Sequence, residues 1–192
     1  MNAPKTLNKA VFLDKDGTIN EEANYLSHYK DLKLLPHSAE AIKMLNEAGY
    51  KVIVISNQAG VARGLCSEDM LQAIDKTLQK ELLNRGAFVN AIYYCPHHPE
   101  HGTYPYRQVC TCRKPHTGLV EKAANEYNID LKSSFFVGDH ANDIKTGRNA
   151  QMKTVFVMTG HGKEEFEEVQ NNGKPDHVAD NLLEAVKWIL KK

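Results

Sequence analysis

The segment Ala10-Val11-Phe12-Leu13-Asp14-Lys15-Asp16-Gly17-Thr18 runs from four apolar residues straight into two acids and a glycine. A short, continuously apolar run is the pattern of a strand buried on both faces, as in a parallel sheet. Two carboxylates two positions apart in extended backbone point to one side, with Lys15 opposite, and Gly17 permits a sharp turn. Comparable runs recur at 52–55, 92–94, 134–137 and 154–157.

Helical periodicity separates these runs. Ile42, Leu45 and Ala48 share a face ahead of Gly49. Ser67 is a candidate N-cap, with Glu68 and Asp69 in the first turn and Met70, Leu71, Ile74, Leu78 and Leu82 at helical spacing up to Gly86. Leu119, Val120, Ala123, Ala124 and Tyr127 form another stripe, and Asp180 is expected to cap a last helix carrying Leu182, Leu183, Val186 and Ile189. These stripes read as core packing. The alternation predicts an α/β fold: one doubly wound parallel sheet with right-handed crossovers, in a single domain over 1–192. Ligands of such sheets bind beyond the carboxyl ends of the strands, so those ends are where chemistry is sought.

Composition narrows the classes. The chain has 192 residues, 42% hydrophobic and 25% charged, which is globular and enough for a core. Its 24 Lys and Arg balance 24 Asp and Glu, which argues against a nucleic-acid coat or a polybasic membrane binder. The apolar stretch near the N-terminus is too short for a signal peptide, and no run approaches a membrane span, so a cytoplasmic protein is expected. With no long exposed apolar patch evident, a monomer is expected.

The strand ends carry a constellation. The first runs into Asp14 and Asp16, the second into Ser56, Asn57 and Gln58, and the run at 134–137 into Gly138-Asp139, with Asn142 and Asp143 behind. Arg113-Lys114-Pro115 closes an irregular stretch. An acid after a strand is often only a turn former. Here the acids, hydroxyl and lysine recur together at the ends or in a nearby loop, and they supply what phosphoryl transfer from a monoester needs. That is a nucleophilic carboxylate, a proton shuttle, oxygen ligands for Mg²⁺, and a cation for the phosphoryl oxygens.

In that order, DKDGT, ISNQ, RKP and GDHAND resemble the four motifs of the haloacid dehalogenase (HAD) phosphatase superfamily, covering about residues 10–160. The resemblance implies that Asp14 is the nucleophile forming an aspartyl-phosphate. It implies that Asp16 protonates the leaving alkoxide and then activates water, and that Ser56 and Lys114 bind the transferring phosphoryl group. Mg²⁺ would sit on Asp14, the Asp16 backbone carbonyl and Asp139, with Asp143 behind them. The nucleophile must stay ionised, whereas the shuttle must hold a proton and so should not be a side-chain metal ligand.

Between these motifs lies CPHHPEHGTYPYRQVCTC, from Cys95 to Cys112. Cys95 and His97 make a C-x-H pair, and Cys110 and Cys112 a C-x-C pair twelve residues beyond His97. Three thiolates and an imidazole form a closed set of the structural Zn²⁺ kind, with no open position for catalysis. His98, His101 and His116 are rival donors; His97 is preferred because the spacing lets both members of each pair face one ion. Cys66 reads as an ordinary free cysteine. A zinc staple at about 95–115 would fix the loop that leads into Arg113 and Lys114.

This loop resembles that of capless HAD phosphatases with zinc ligands. The wording YYCPHHP…RQVCTCRKPHTG and NQAGVARG is similar to the D-glycero-D-manno-heptose 1,7-bisphosphate 7-phosphatases; in histidinol-phosphate phosphatases the interval between the pairs is shorter. The resemblance implies removal of the 7-phosphate in the building of heptose precursors for lipopolysaccharide or surface-layer glycans. A sugar bisphosphate needs cationic and polar groups for its second phosphate and its hydroxyls. Arg113 is the best placed cation and Arg63 a second. Asn57, Gln58 and the segment from Glu22 to Tyr25 are the remaining candidates, for hydrogen bonds to hydroxyls; the resemblance itself implies Asn57 and Arg113 as substrate contacts and that segment at the pocket border. Two other classes fit less well. A phospho-accepting receiver domain would carry its acceptor Asp after a middle strand, and a zinc nucleic-acid module would want a basic face.

Overall fold

The computed structural model describes residues 7–23 and 25–192. The strand–helix alternation is realised as β1 (Ala10–Leu13), α1 (Ser38–Glu47), β2 (Lys51–Asn57), α2 (Ala59–Ala62), α3 (Glu68–Leu83), β3 (Ala91–Cys95), α4 (Gly118–Tyr127), β4 (Phe135–Gly138), α5 (Ala141–Asn149), β5 (Lys153–Val157), α6 (Gly162–Asn172), β6 (His177–Ala179) and α7 (Leu182–Ile189). The six strands form one sheet in the order β3-β2-β1-β4-β5-β6, every neighbouring pair parallel.

Apolar residues on both faces of each strand explain the layering. Val11 and Leu13 of β1, with Val52 and Val54 of β2, pack on one side with Ile42 and Leu45 of α1 and Val186 and Ile189 of α7. Ala10 and Phe12, with Ile53, Ile55 and Phe136, face the other way onto Leu119, Val120 and Ala123 of α4. Period-two alternation with both faces apolar is what helices on both sides of a sheet require.

The strand order positions the site. From β1 the chain moves outward through β2 to β3, then returns to lay β4 on the free side of β1. The reversal leaves a crevice at the carboxyl ends of β1 and β4, the place where open α/β sheets bind ligands. Asp14 directly follows β1 and Asp139 directly follows β4. The Asp14 N–H donates to the Val137 carbonyl at 2.9 Å, which locks the two loops together at their roots.

The local structure departs from the sequence reading at several points. The last helix is capped by Asn181, not Asp180: Asn181 is fully extended and its side chain accepts the Glu184 N–H at 3.1 Å, the geometry a cap needs. The short edge strand β6 and the polar helices α5 and α6 were not legible as stripes. Asn24, inside the 22–25 segment, lies outside the described residues. Among the described residues no helix is long and apolar enough to cross a membrane.

Candidate active site

Four loops converge at the crevice. The first carries Asp14, 6% exposed, whose Oδ1 accepts the Lys15 N–H at 2.8 Å and lies 2.7 Å from the Lys114 ammonium. Lys114 is itself buried, and its Nζ also reaches Asp143 Oδ1 at 2.6 Å and the Ile55 carbonyl at 3.1 Å. The Ile55 carbonyl accepts one of the three N–H donors of the ammonium, and the two carboxylates hold it as ion pairs. Asn57 fixes the Lys114 backbone: its Oδ1 accepts the Lys114 N–H at 3.0 Å and its Nδ2 donates to the Lys114 carbonyl at 3.2 Å. The lysine is therefore anchored from both ends of its residue.

Asp139 is fully buried; its Oδ1 accepts Thr18 Oγ1 at 3.2 Å and its Oδ2 accepts the His161 N–H at 2.9 Å. Gly17 (φ 79°) and Gly160 (φ 53°) close around it, and a Cβ on either would overlap the Asp139 carboxylate. Both glycines serve positive φ and close approach at once.

Asp14, Asp139 and Asp143 bring one carboxylate oxygen each within 4.8 Å of one another. Burial pushes the Asp14 carboxyl up to about 8, against the pull of Lys114 and with Asp143 and Asp139 adding to the rise. Burial, then Asp143, pushes Asp139 up to about 6. Burial disfavours the Lys114 ammonium, but the Asp14 and Asp143 carboxylates overcome this and hold its pKa above the ordinary lysine value. Three buried acids facing one ammonium are short of positive charge, and their hard oxygen donors suit a divalent cation of the Mg²⁺ kind.

Asp16 stands apart from that cluster. Asn20 Nδ2 donates to its Oδ1 at 2.8 Å and Gln58 Nε2 to its Oδ2 at 2.8 Å; the same Gln58 nitrogen lies 2.7 Å from Ser56 Oγ. Asp14, Asp16, Ser56, Asn57, Gln58, Arg113 and Lys114 line one pocket of about 300 Å³, with Glu22 and Tyr25 at its side. The pocket thus gathers nearly all the residues expected from the sequence.

Comparison with known proteins agrees with this geometry. A family described as HAD-hydrolase-like matches residues 111–185. A D-glycero-D-manno-heptose-1,7-bisphosphate 7-phosphatase of Thermosynechococcus vestitus is 41% identical over 185 residues, 94% of each chain. A D-glycero-beta-D-manno-heptose-1,7-bisphosphate 7-phosphatase of Pasteurella multocida is 39% identical over 175 residues, 91% of this chain and 95% of that one. The chain belongs to this phosphatase family. Among solved structures, the D,D-heptose 1,7-bisphosphate phosphatase of B. bronchiseptica, complexed with magnesium and phosphate, superposes with a TM-score of 0.83 at 30% identity, covering 95% of this chain and 98% of that chain.

Two expectations shift on the geometry. Arg63 is not a lining residue; its guanidinium lies 5.6 Å from the ring centre of Tyr25, which does line the pocket. Asn57 and Gln58 line the pocket, yet their amides are engaged with Lys114, Asp16 and Ser56. Conversely, His140 and His161 line the pocket and were not singled out. Their rings lie 5.0 Å apart; His140 Nδ1 meets Glu165 Oε1 at 2.9 Å, and His161 Nε2 lies 4.0 Å from Glu22 Oε2. The usable signal was their position after the fourth and fifth strands.

Beside the pocket, Cys95, His97, Cys110 and Cys112 converge, with one ligand atom of each within 4.8 Å of the others. Cys112 Sγ lies 3.0 Å from Cys95 Sγ, 3.2 Å from Cys110 Sγ and 3.2 Å from His97 Nδ1. These separations are longer than a disulfide bond and shorter than the edges, about 3.8 Å, of a tetrahedron with zinc–sulfur arms of about 2.3 Å, so four donors are gathered tightly enough to meet one ion after a small outward shift. The soft donor set fits zinc. His98 and His101 face each other instead, their rings 4.4 Å apart and tilted by 40°.

Proposed function

We propose that the chain is a Mg²⁺-dependent phosphomonoester hydrolase that removes the 7-phosphate of D-glycero-D-manno-heptose 1,7-bisphosphate on the route to ADP-heptose and lipopolysaccharide core. The observation that carries the reading is Asp14: a buried carboxylate at the head of the pocket, paired with Lys114, in a chain whose full-length relatives are named for this activity. Residues 1–192 are read as one phosphatase domain, cytoplasmic and monomeric, acting on a small molecule and not on nucleic acid or membrane.

The chemistry divides among the side chains. An Asp14 oxygen attacks phosphorus, and the ester bond to the sugar O7 breaks as an aspartyl-phosphate forms. Asp16 gives its proton to the departing alkoxide, then takes one from the water that hydrolyses the aspartyl-phosphate. Lys114 and Ser56 hold the phosphoryl oxygens; an ammonium 2.7 Å from the Asp14 oxygen is next to any group bonded there. Mg²⁺ on Asp14, Asp139 and the Asp16 backbone carbonyl would keep the nucleophile ionised and offset charge on the phosphoryl group. Arg113, Glu22 and Tyr25 are the groups assigned to the second phosphate and the sugar hydroxyls. Zn²⁺ on Cys95, His97, Cys110 and Cys112 would be structural, with all four positions taken by the protein.

Phosphate release with Mg²⁺ is measured for both heptose 1,7-bisphosphate anomers, fructose 1,6-bisphosphate and histidinol phosphate. A heptose bisphosphate is expected to have the highest kcat/KM, and preference for histidinol phosphate overturns the substrate assignment. Asp14→Asn is expected to keep the fold and lose about four orders of magnitude in kcat or more; undiminished turnover overturns the mechanism.

A further inference from the structure

Lys15 stands between the two acids of the first loop, yet its side chain is only 1% exposed. Among the described residues its Nζ has no hydrogen-bond partner. Two carboxylates face that ammonium beyond hydrogen-bond reach: Asp16 Oδ2 at 3.7 Å and Asp75 Oδ1 at 3.8 Å. Asp75 comes from the middle of α3, its side chain is 14% exposed, and its Oδ1 is likewise buried without a hydrogen bond. Neither Lys15 nor Asp75 lines the pocket. A buried ammonium thus lies behind the proton shuttle, and a second carboxylate from a distant helix shares it.

The balance matters because of what else holds Asp16. On the pocket side, among the described residues, it has two amide donors, Asn20 and Gln58, each at 2.8 Å. An ammonium adds the attraction of a second full charge to what an amide N–H gives the same carboxylate, and low-dielectric surroundings strengthen that attraction. With no second carboxylate, Asp16 Oδ2 is the ion-pair partner left to the Lys15 ammonium among the described residues, in competition with Gln58.

We propose that Asp75 is a positioning residue for the reaction: by sharing Lys15 from the rear it keeps the ammonium from closing onto Asp16, and so keeps the Asp16 carboxyl aimed at the leaving oxygen. The inference rests on the assignment of Asp16 as proton donor in the proposed function. It does not place Asp75 in contact with substrate.

The test reads the first bond cleavage alone, as leaving-group release in a single turnover with enzyme in excess and Mg²⁺ present. Two esters are compared. The heptose 7-phosphate ester leaves as an alkoxide and needs a proton; p-nitrophenyl phosphate leaves as a stable phenolate and does not. In Asp75→Asn, sugar release is expected to fall at least tenfold while nitrophenolate release stays within twofold of wild type. In the double variant K15M/D75N, which removes both buried charges together, the ratio of the two rates is expected to return to within threefold of wild type. The double variant also carries the test if D75N alone does not fold, because neutralising a buried pair is far better tolerated than stranding one member. Equal losses on both esters, no loss on either, or a tenfold selective loss persisting in the double variant each overturn the proposal. A wild-type chain that cleaves neither ester overturns the functional reading, and this role with it.

Discussion

The Arg113 guanidinium donates to the backbone carbonyl of His97 at 3.2 Å, which ties a pocket cation to a member of the cysteine–histidine cluster. Lys114, the next residue, is held differently, by Asn57 and the Ile55 carbonyl. Disturbing the cluster should therefore move Arg113 first. For Cys112→Ser, metal content is expected to fall from about one zinc per chain. KM for the bisphosphate is expected to rise about tenfold or more, the worth of one charge-assisted hydrogen bond, with a smaller change in kcat. Elemental analysis and steady-state kinetics check both; an unchanged metal content refutes the ligand set.

Asn57 separates two roles that sequence alone leaves merged. A substrate contact would show its loss in KM. A clamp on the backbone of Lys114 shows its loss in kcat, because the ammonium beside Asp14 is displaced. Asn57→Ala removes two hydrogen bonds worth about 1 kcal/mol each, so kcat is expected to fall about tenfold to thirtyfold with KM within threefold. A rise confined to KM would return Asn57 to the substrate contacts.

The candidate constellation was legible because the apolar runs stop at or just before the strand ends, and Asp14, Ser56 and Asp139 stand there. Lys114 was legible through its motif. What stayed hidden depends on strand order and on side-chain direction, which local pattern does not carry. His140 and His161 meet only because β4 and β5 are neighbours, so their pairing is invisible until the sheet is ordered. Asp75 looks like one more charge on the solvated face of an amphipathic helix, and only the fold turns it toward Lys15. Arg63 reads as a free cation, yet its place over Tyr25 takes it off the pocket wall. At the chain's end, Asp180 and Asn181 are equally good caps by composition, and backbone geometry selects the second.

Glu68 clamps the cysteine–histidine loop onto α3. Its two carboxylate oxygens accept Tyr106 Oη at 2.7 Å and Tyr94 Oη at 2.9 Å. Gln keeps one acceptor oxygen, loses the charge, and can hold the second tyrosine only by donating its amide N–H to that Oη, so both contacts weaken. Glu68→Gln is expected to lower Tm by about 2–4 °C and to speed zinc loss to a chelator severalfold. Nitrophenyl phosphate turnover should be unchanged, since Glu68 holds a wall and not the reacting groups. Chelator-release kinetics followed with a zinc dye decide it; wild-type release rates would show that the clamp does not restrain the loop.

The three-carboxylate cluster links stability, pH and metal. Burial lifts Asp14 from its ordinary 3.8 to about 8 and Asp139 to about 6. An acid whose folded pKa is raised holds its proton more tightly when folded than when unfolded. Its contribution to stability is complete below the unfolded value and is lost as pH climbs through the folded one. In chelator the chain should therefore lose stability from about pH 4 to pH 8 on account of these two groups. Mg²⁺ reverses that loss, because it binds the ionised form that burial penalises. The Mg²⁺-induced rise in Tm is accordingly expected to be at least about 4 °C larger at pH 8 than at pH 5. Thermal melts at both pH values, with chelator or with Mg²⁺, measure it. A rise that is equal at the two pH values, or larger at pH 5, would mean that these carboxylates are not where the cation acts.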